Sequence, residues 1–223
     1  TAPGGGEVFA GPNVLLPQDK ARYVGEAIAI VVGETRAQAM DGAEAVEVEY
    51  EDLPFVSHSE DALAPGAPAI WNDVKDNVLV DTYFGEKDKT DAAFAKAAHV
   101  VKHRMVINRI TTNTMEPRGV WAEIGPDGRP VVHAAHQSPF NLRNGMANGN
   151  FGIKPTELRV VPGDVGGSFG MKSGVHVEEV LSAWAARRLN RPVKWISDRT
   201  EGFLTDEQAR EMDISAELGI DAE

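Results

Sequence analysis

The sequence predicts an α/β chain, of the α+β kind, in which a small α/β unit precedes a larger one. Three observations predict it. Tyr23–Val32 and His99–Ile107 are β-rich apolar runs. Gly174–Leu189 carries Val177, Val180, Leu181, Trp184 and Ala185 at helical spacing. Short strand patterns alternate with helical ones, with glycine and proline between them. A length of 223 residues fits one large domain or two small ones, and the boundaries fall at residues 1–60, 61–97 and 98–223.

In chain order, Tyr23–Val32 reads as a strand of buried type. Thr35 is placed to N-cap a helix through Ala37, Ala39, Met40, Ala43 and Val46. Val46, Val48 and Tyr50 then alternate with Glu47, Glu49 and Glu51, the pattern of a half-exposed strand with a solvated acidic face. Residues 57–91 form an irregular connection, charge-rich from Lys75 to Asp91. Trp71, Val78, Leu79, Val80, Tyr83 and Phe84 are its apolar anchors. His99–Ile107 starts the second unit. Val120–Ile124 and Pro130–Ala135 make a hairpin across Gly125-Pro126-Asp127-Gly128. Pro139–Asn148 is a helix with proline at its first position. Glu157–Val161 is a strand, Gly174–Leu189 a helix, and Val193–Ile196 and Met212–Leu218 are strands.

Apolar residues make up 42% of the chain and charged residues 25%, an ordinary globular composition. The net charge of −12 repels phosphate backbones and argues against nucleic-acid binding. No apolar run is long enough to span a membrane. Thr1–Gly6 has neither the basic nor the apolar region of a secretory signal. The absence of cysteine excludes disulfides and cysteine-held clusters within these residues and fits a cytoplasmic address. A chain that starts without Met in a glycine run is expected to be a fragment of a longer protein.

The segment Pro162–Lys172 holds four glycines between a strand and a helix. Amide N–H groups at such an entrance can bind an anion or an oxyanion. Three readings stand: a ligand-free turn, a P-loop, or a cofactor loop that sets Phe169 beside a ligand. For the P-loop, Met171 separates Gly170 from Lys172-Ser173 and puts the lysine out of register.

The string Asp164–Lys172, DVGGSFGMK, resembles the glycine–phenylalanine loop of the molybdenum hydroxylases, the xanthine dehydrogenase, aldehyde oxidase and aerobic carbon monoxide dehydrogenase family. Further stretches resemble the same family in the same order. Tyr23–Glu26 with Ala29–Val32 resembles the start of its small hammerhead domain, and Ala45–Glu51 with Leu53-Pro54 its end. Met115–Gly119 resembles the opening of the molybdopterin-binding part, and His136–Arg143 the glutamine motif. Asn190–Lys194 with Asp198-Arg199 resembles the strand after the loop helix. The resemblance implies a partial hammerhead-like domain, a connecting segment, and the first part of a molybdopterin-binding α/β domain.

It also implies roles. The Gln137 amide would hydrogen-bond an oxygen ligand of molybdenum. Phe169 and Gly170 would offer backbone N–H groups to the molybdenum–molybdopterin cofactor, with the Phe169 ring walling the substrate pocket. Gly166 and Gly167 would allow close approach, and Ser168 replaces a usual glycine. Ser173 stands where purine-oxidising members carry a glutamate, which argues against xanthine and leans towards the carbon monoxide dehydrogenase-like branch. The family's glutamate base lies several hundred residues beyond the loop, so no catalytic residue is expected in this chain, and the fragment alone is expected to be inactive. The intact enzyme would oxidise a small carbon substrate with oxygen from water. Flavin-binding and iron–sulfur subunits are the implied partners in a hetero-oligomer.

Against these stand plainer readings. The chain could be a standalone α/β binding or scaffold module. Glu116 and Arg118 read as an ion pair fixing a turn. Glu178-Glu179 reads as helix surface. His99 with His103, and His133 with His136, have offsets that do not converge on a metal from strands, and no direct metal ligands are expected.

Overall fold

The computed structural model of the chain describes residues 8, 9, 11, 14–74 and 76–222. The glycine-rich opening Thr1–Gly6, and Lys75 in the charged connection, lie outside the described residues. The chain falls into two compact units, one drawn from Thr1–Asn13, Glu51–Ile110 and Ala209–Glu223, the other from Val14–Tyr50 and Thr111–Gln208.

The first unit is built on a two-stranded ribbon of β1 (His99–Thr111) and β6 (Gln208–Ile220). Both strands run longer than the sequence pattern predicts. Their residues are almost all exposed. Cross-strand ion pairs line them, including Lys102 Nζ to Glu217 at 2.7 Å and Arg104 Nε to Asp213 at 2.9 Å. The connection is largely irregular, as expected, but contains the short helices α2 (Ser59–Ala62) and α3 (Lys87–Phe94). Its anchors are fewer than expected. Val74 is buried and Trp71 half-buried, whereas Val78, Leu79, Val80, Tyr83 and Phe84 are exposed. The Asn77 side chain fixes this turn, donating to the carbonyls of Ala62 and Pro68 and accepting from Ile70 N–H at 2.9–3.1 Å.

In the second unit, α1 (Arg36–Glu44) starts at the expected cap. Gln38 N–H donates to Thr35 Oγ1, and Thr35 N–H donates back to the Gln38 side chain at 3.1 Å. The flanking strands do not form. Residues 23–32 and 46–51 have no ladder partner among the described residues, and the second stretch is exposed throughout. Period-two alternation becomes a strand only where a neighbour takes its backbone bonds and one face is covered.

The core of this unit is a four-stranded sheet in the order β4-β3-β2-β5. β2 (Gly119–Ile124) and β3 (Pro130–Ala134) form the expected hairpin, closed by Gly125 N–H to the Arg129 carbonyl at 2.8 Å, with Gly128 at φ +78°. β4 (Arg159–Pro162) lies parallel to β3, and β5 (Val193–Ile196) antiparallel to β2. Between β3 and β4, α4 (Pro139–Asn144) passes into a π-helical turn at Gly145–Phe151, so the predicted helix changes pitch at its C-terminal end. α5 (Val177–Leu189) covers β2, β3 and β5, burying Val180, Ala183 and Ala186 against Val120, Ala122 and Val132. Trp184, expected on the buried face, is 50% exposed. The sequence reading missed α6 (Arg199–Thr205), capped by Asp198 accepting from Glu201 N–H at 2.7 Å. No helix among the described residues is long and apolar enough to cross a membrane.

Candidate functional site

Sheet topology brings four chain segments to one edge. β3 and β4 are parallel neighbours, so the residues after each emerge at the same end. β2 is antiparallel to β3, with Val120 opposite Ala134, so the residues before β2 arrive there too. β5 pairs Ile196 with Gly119, which adds Ser197 and Asp198. Glu116, Gln137, the glycine loop and the start of α6 therefore share one edge. In open α/β sheets the crevice beyond strand carboxyl ends is the usual place for a ligand.

The loop after β4 is held in an unusual backbone state. Gly167, Phe169 and Gly170 have φ of +97°, +52° and +99°. For a phenylalanine this left-handed conformation costs roughly 1–2 kcal/mol. Phe169 is 81% exposed, so packing within the chain does not offset that cost. A Cβ at Gly166 would lie 2.5 Å from Glu116 Cβ, so only glycine fits there. Gln137 is exposed, and its Oε1 accepts from Gly170 N–H at 3.3 Å. That leaves the amide NH2 as a neutral donor beside Phe169 and Gly170. Ser173 Oγ donates to the Gly170 carbonyl. Gln137, Gly167, Phe169, Gly170 and Ser173 are thus in one place.

Beneath the loop lies a charge that the sequence reading treated only as a mis-spaced P-loop lysine. Lys172 is 1% exposed, and its Nζ donates to the Glu116 carbonyl and to Glu116 Oε2, each at 2.8 Å. An ammonium committed in this way is not available to a nucleotide phosphate. Glu116 Oε2 also accepts from Gly166 N–H at 2.8 Å. Burial pushes the Glu116 carboxyl up, but the bonds from Lys172 and Gly166 outweigh it and hold it below the usual range.

Glu116 and Arg118 do not form the expected ion pair, because each faces a different partner. Arg118, 5% exposed, donates from Nε to Asp206 Oδ1 at 2.8 Å and from Nη2 to Thr205 Oγ1 at 2.6 Å, and pairs with Glu178. The helix-surface reading of Glu178-Glu179 is also corrected. Both carboxylates lie at the buried start of α5, Glu178 neutralised by Arg118 and Glu179 accepting from His176 N–H at 2.8 Å. Burial pushes Glu179 up to about 8 and His176 down to about 4. His136 is 1% exposed. Its Nδ1 accepts from Ser138 N–H at 3.0 Å, so Nε2 carries the proton and donates to the Gly174 carbonyl at 2.8 Å. His133 stacks on Trp121 with centroids 3.7 Å apart. Among the described residues no group of three His, Asp or Glu is arranged to hold a metal directly.

The donors at this edge suit a cofactor rich in accepting oxygens. They are neutral backbone N–H groups in a concave, positive-φ loop and one side-chain amide. The family model described as molybdopterin cofactor-binding domain matches residues 70–223. The chain belongs to the molybdopterin cofactor-binding domain family. A second model, the aldehyde oxidase and xanthine dehydrogenase a/b hammerhead domain, matches residues 3–54. Among curated proteins, the gamma subunit of the 6-hydroxypseudooxynicotine dehydrogenase complex of Paenarthrobacter nicotinovorans is 34% identical over 97% of this chain and 27% of its own length. The carbon monoxide dehydrogenase large chain of Hydrogenophaga pseudoflava is 33% identical over 92% of this chain and 27% of its own. Among solved structures, quinoline 2-oxidoreductase from Pseudomonas putida 86 superposes with a TM-score of 0.85 at 35% identity, covering 93% of this chain and 26% of that one. The chain spans about a quarter of the length of these relatives. The residues of the edge fit a molybdopterin cofactor of this family, and the contact between Lys172 and Glu116 beneath the loop is one that sequence reasoning did not foresee.

Proposed function

We propose that the intact protein is the molybdenum-cofactor-binding subunit of an oxidoreductase of the carbon monoxide dehydrogenase, aldehyde oxidase and xanthine dehydrogenase type. It oxidises a small carbon substrate with oxygen from water. The observation that carries this reading is Phe169, exposed and held at positive φ beside the Gln137 amide at a sheet edge. Strain of this kind persists where function requires the geometry. A scaffold module would have no use for it.

When bound, the molybdenum cofactor supplies Lewis-acid and redox chemistry. This chain supplies placement. The Gln137 amide donates towards an oxygen of the group without adding charge. The Phe169 backbone N–H would hold its periphery, while the Gly170 N–H is engaged by Gln137 Oε1. The exposed Phe169 ring forms an apolar wall that excludes water on the substrate side. Ser173 offers no carboxylate and has its hydroxyl engaged with Gly170, which disfavours a purine and suits an uncharged small substrate. Flavin and iron–sulfur partner subunits take the electrons in a cytoplasmic hetero-oligomer, in line with relatives that are subunits of complexes.

The test is turnover of the purified full-length protein, with its co-purifying subunits, on carbon monoxide, an aromatic aldehyde and an N-heterocycle in oxygen-18 water. Product labelled from water is expected with one of the three. Product labelled from dioxygen instead, or no turnover by a molybdenum-loaded preparation, contradicts the reading.

A further inference from the structure

We infer that Lys172 is a positioning residue for the cofactor edge, a buried strut that sets the spacing between the Gln137 amide and the Phe169–Gly170 backbone. The inference rests on the reading above of what that edge holds.

Four contacts tie Lys172 to three separate segments. Its Nζ holds the carbonyl and carboxylate of Glu116. Its carbonyl accepts from Gln137 N–H at 2.9 Å. Its own N–H donates to Ser168 Oγ at 3.0 Å. The Glu116 end is fastened to the loop a second time, through Gly166 N–H to Oε2 at 2.8 Å and Glu116 N–H to the Gly166 carbonyl at 3.2 Å. Each segment joined in this way carries or borders a group assigned to the cofactor. Glu116 thus meets Lys172 on its ammonium, while Gln137 and Ser168 meet it on its main chain.

A buried ammonium is costly to desolvate, and a neutral core would serve stability as well or better. What the charge adds is direction. Nζ donates to two acceptors of one residue, and the Glu116 Oε2 that it holds is the same oxygen that accepts from Gly166 N–H. Gly166 leads directly into Gly167 and Phe169, both at positive φ. Loss of the strut should therefore loosen the edge before it loosens the fold.

The experiment uses the full-length protein with its partner subunits and compares Lys172→Met and Glu116→Gln with the parent. Three quantities are read: folded fraction by circular dichroism and melting, molybdenum per folded chain, and the molybdenum electron paramagnetic resonance line shape after partial reduction. For Lys172→Met the expected result is a molybdenum-to-chain ratio reduced about tenfold, an altered line shape in what is retained, and an intact fold. Glu116→Gln keeps the shape and an acceptor for Gly166. It is expected to fold and to show a severalfold loss and the same altered line shape. Variants that melt earlier but whose folded molecules carry molybdenum at the parent ratio with the parent line shape would overturn the inference. If Lys172→Met does not fold, Glu116→Gln decides alone by the same two readouts. A parent protein without molybdenum would instead sink the cofactor reading itself, before either variant is made.

Discussion

Gln137 and Phe169 spend almost nothing on stability. Both are exposed. Gln137→Ala in the full-length enzyme should lower kcat/KM about a hundredfold, the usual effect of removing one preorganised donor. Phe169→Ala should also cost activity, while each changes unfolding free energy by less than about 1 kcal/mol. Steady-state kinetics beside a denaturant melt checks both. Variants that unfold yet keep full specific activity per folded molecule would make them structural. The expectations for these two residues come from short local motifs, the glycine run for Phe169 and the His136–Arg143 stretch for Gln137. The contact between Lys172 and Glu116 was not legible in that way. Their meeting depends on strand pairing 56 positions apart, and a lysine beside glycines suggests a phosphate before it suggests a strut.

At the scale of elements, buried charge gathers around the start of α5. Arg118 joins it to α6 through Glu178, Asp206 and Thr205. Arg118→Met leaves Glu178 and Asp206 buried without a counter-charge and should destabilise the unit by about 3–5 kcal/mol, read as a fall in denaturation midpoint. The same helix start sets a pH dependence. Glu179 titrates near 8 when folded against 4.5 unfolded, so the native state binds the extra proton and stability falls as pH rises between them. His176 titrates near 4 against 6.5, so stability rises with pH across that window. The two oppose one another up to about pH 6.5, and above it the Glu179 loss stands alone. Denaturation midpoints should decline from pH 6.5 to 8, and Glu179→Gln, which keeps an acceptor for His176 N–H, should flatten the decline. The hairpin around Gly125–Gly128 and the Thr35 cap were read correctly because each is set by a few adjacent residues. The strands at 23–32 and 46–51 failed because a strand needs a neighbour that pattern alone does not supply. Glu178 and Glu179 were misread because a carboxylate at a helix start is usually solvated. Here Arg118, 60 positions away, decides otherwise.

The whole molecule presents a cofactor edge made of neutral donors, on a chain of net charge −12 that spans about a quarter of its relatives. The α/β class and the family were legible because several short motifs stand in a fixed order. The division into compact units was less so, since one of them takes residues from both ends of the chain. Under the proposed function the native complex is expected to carry iron and flavin, in line with a relative that is a subunit of a dehydrogenase complex. A pure complex lacking iron would contradict that. The most direct measurement is molybdenum and pterin content of the native full-length protein, by mass spectrometry of the metal and fluorescence of the oxidised pterin. Equimolar molybdenum and pterin per chain is the predicted result. An intact, folded protein purified from molybdenum-replete cells with neither would contradict the account.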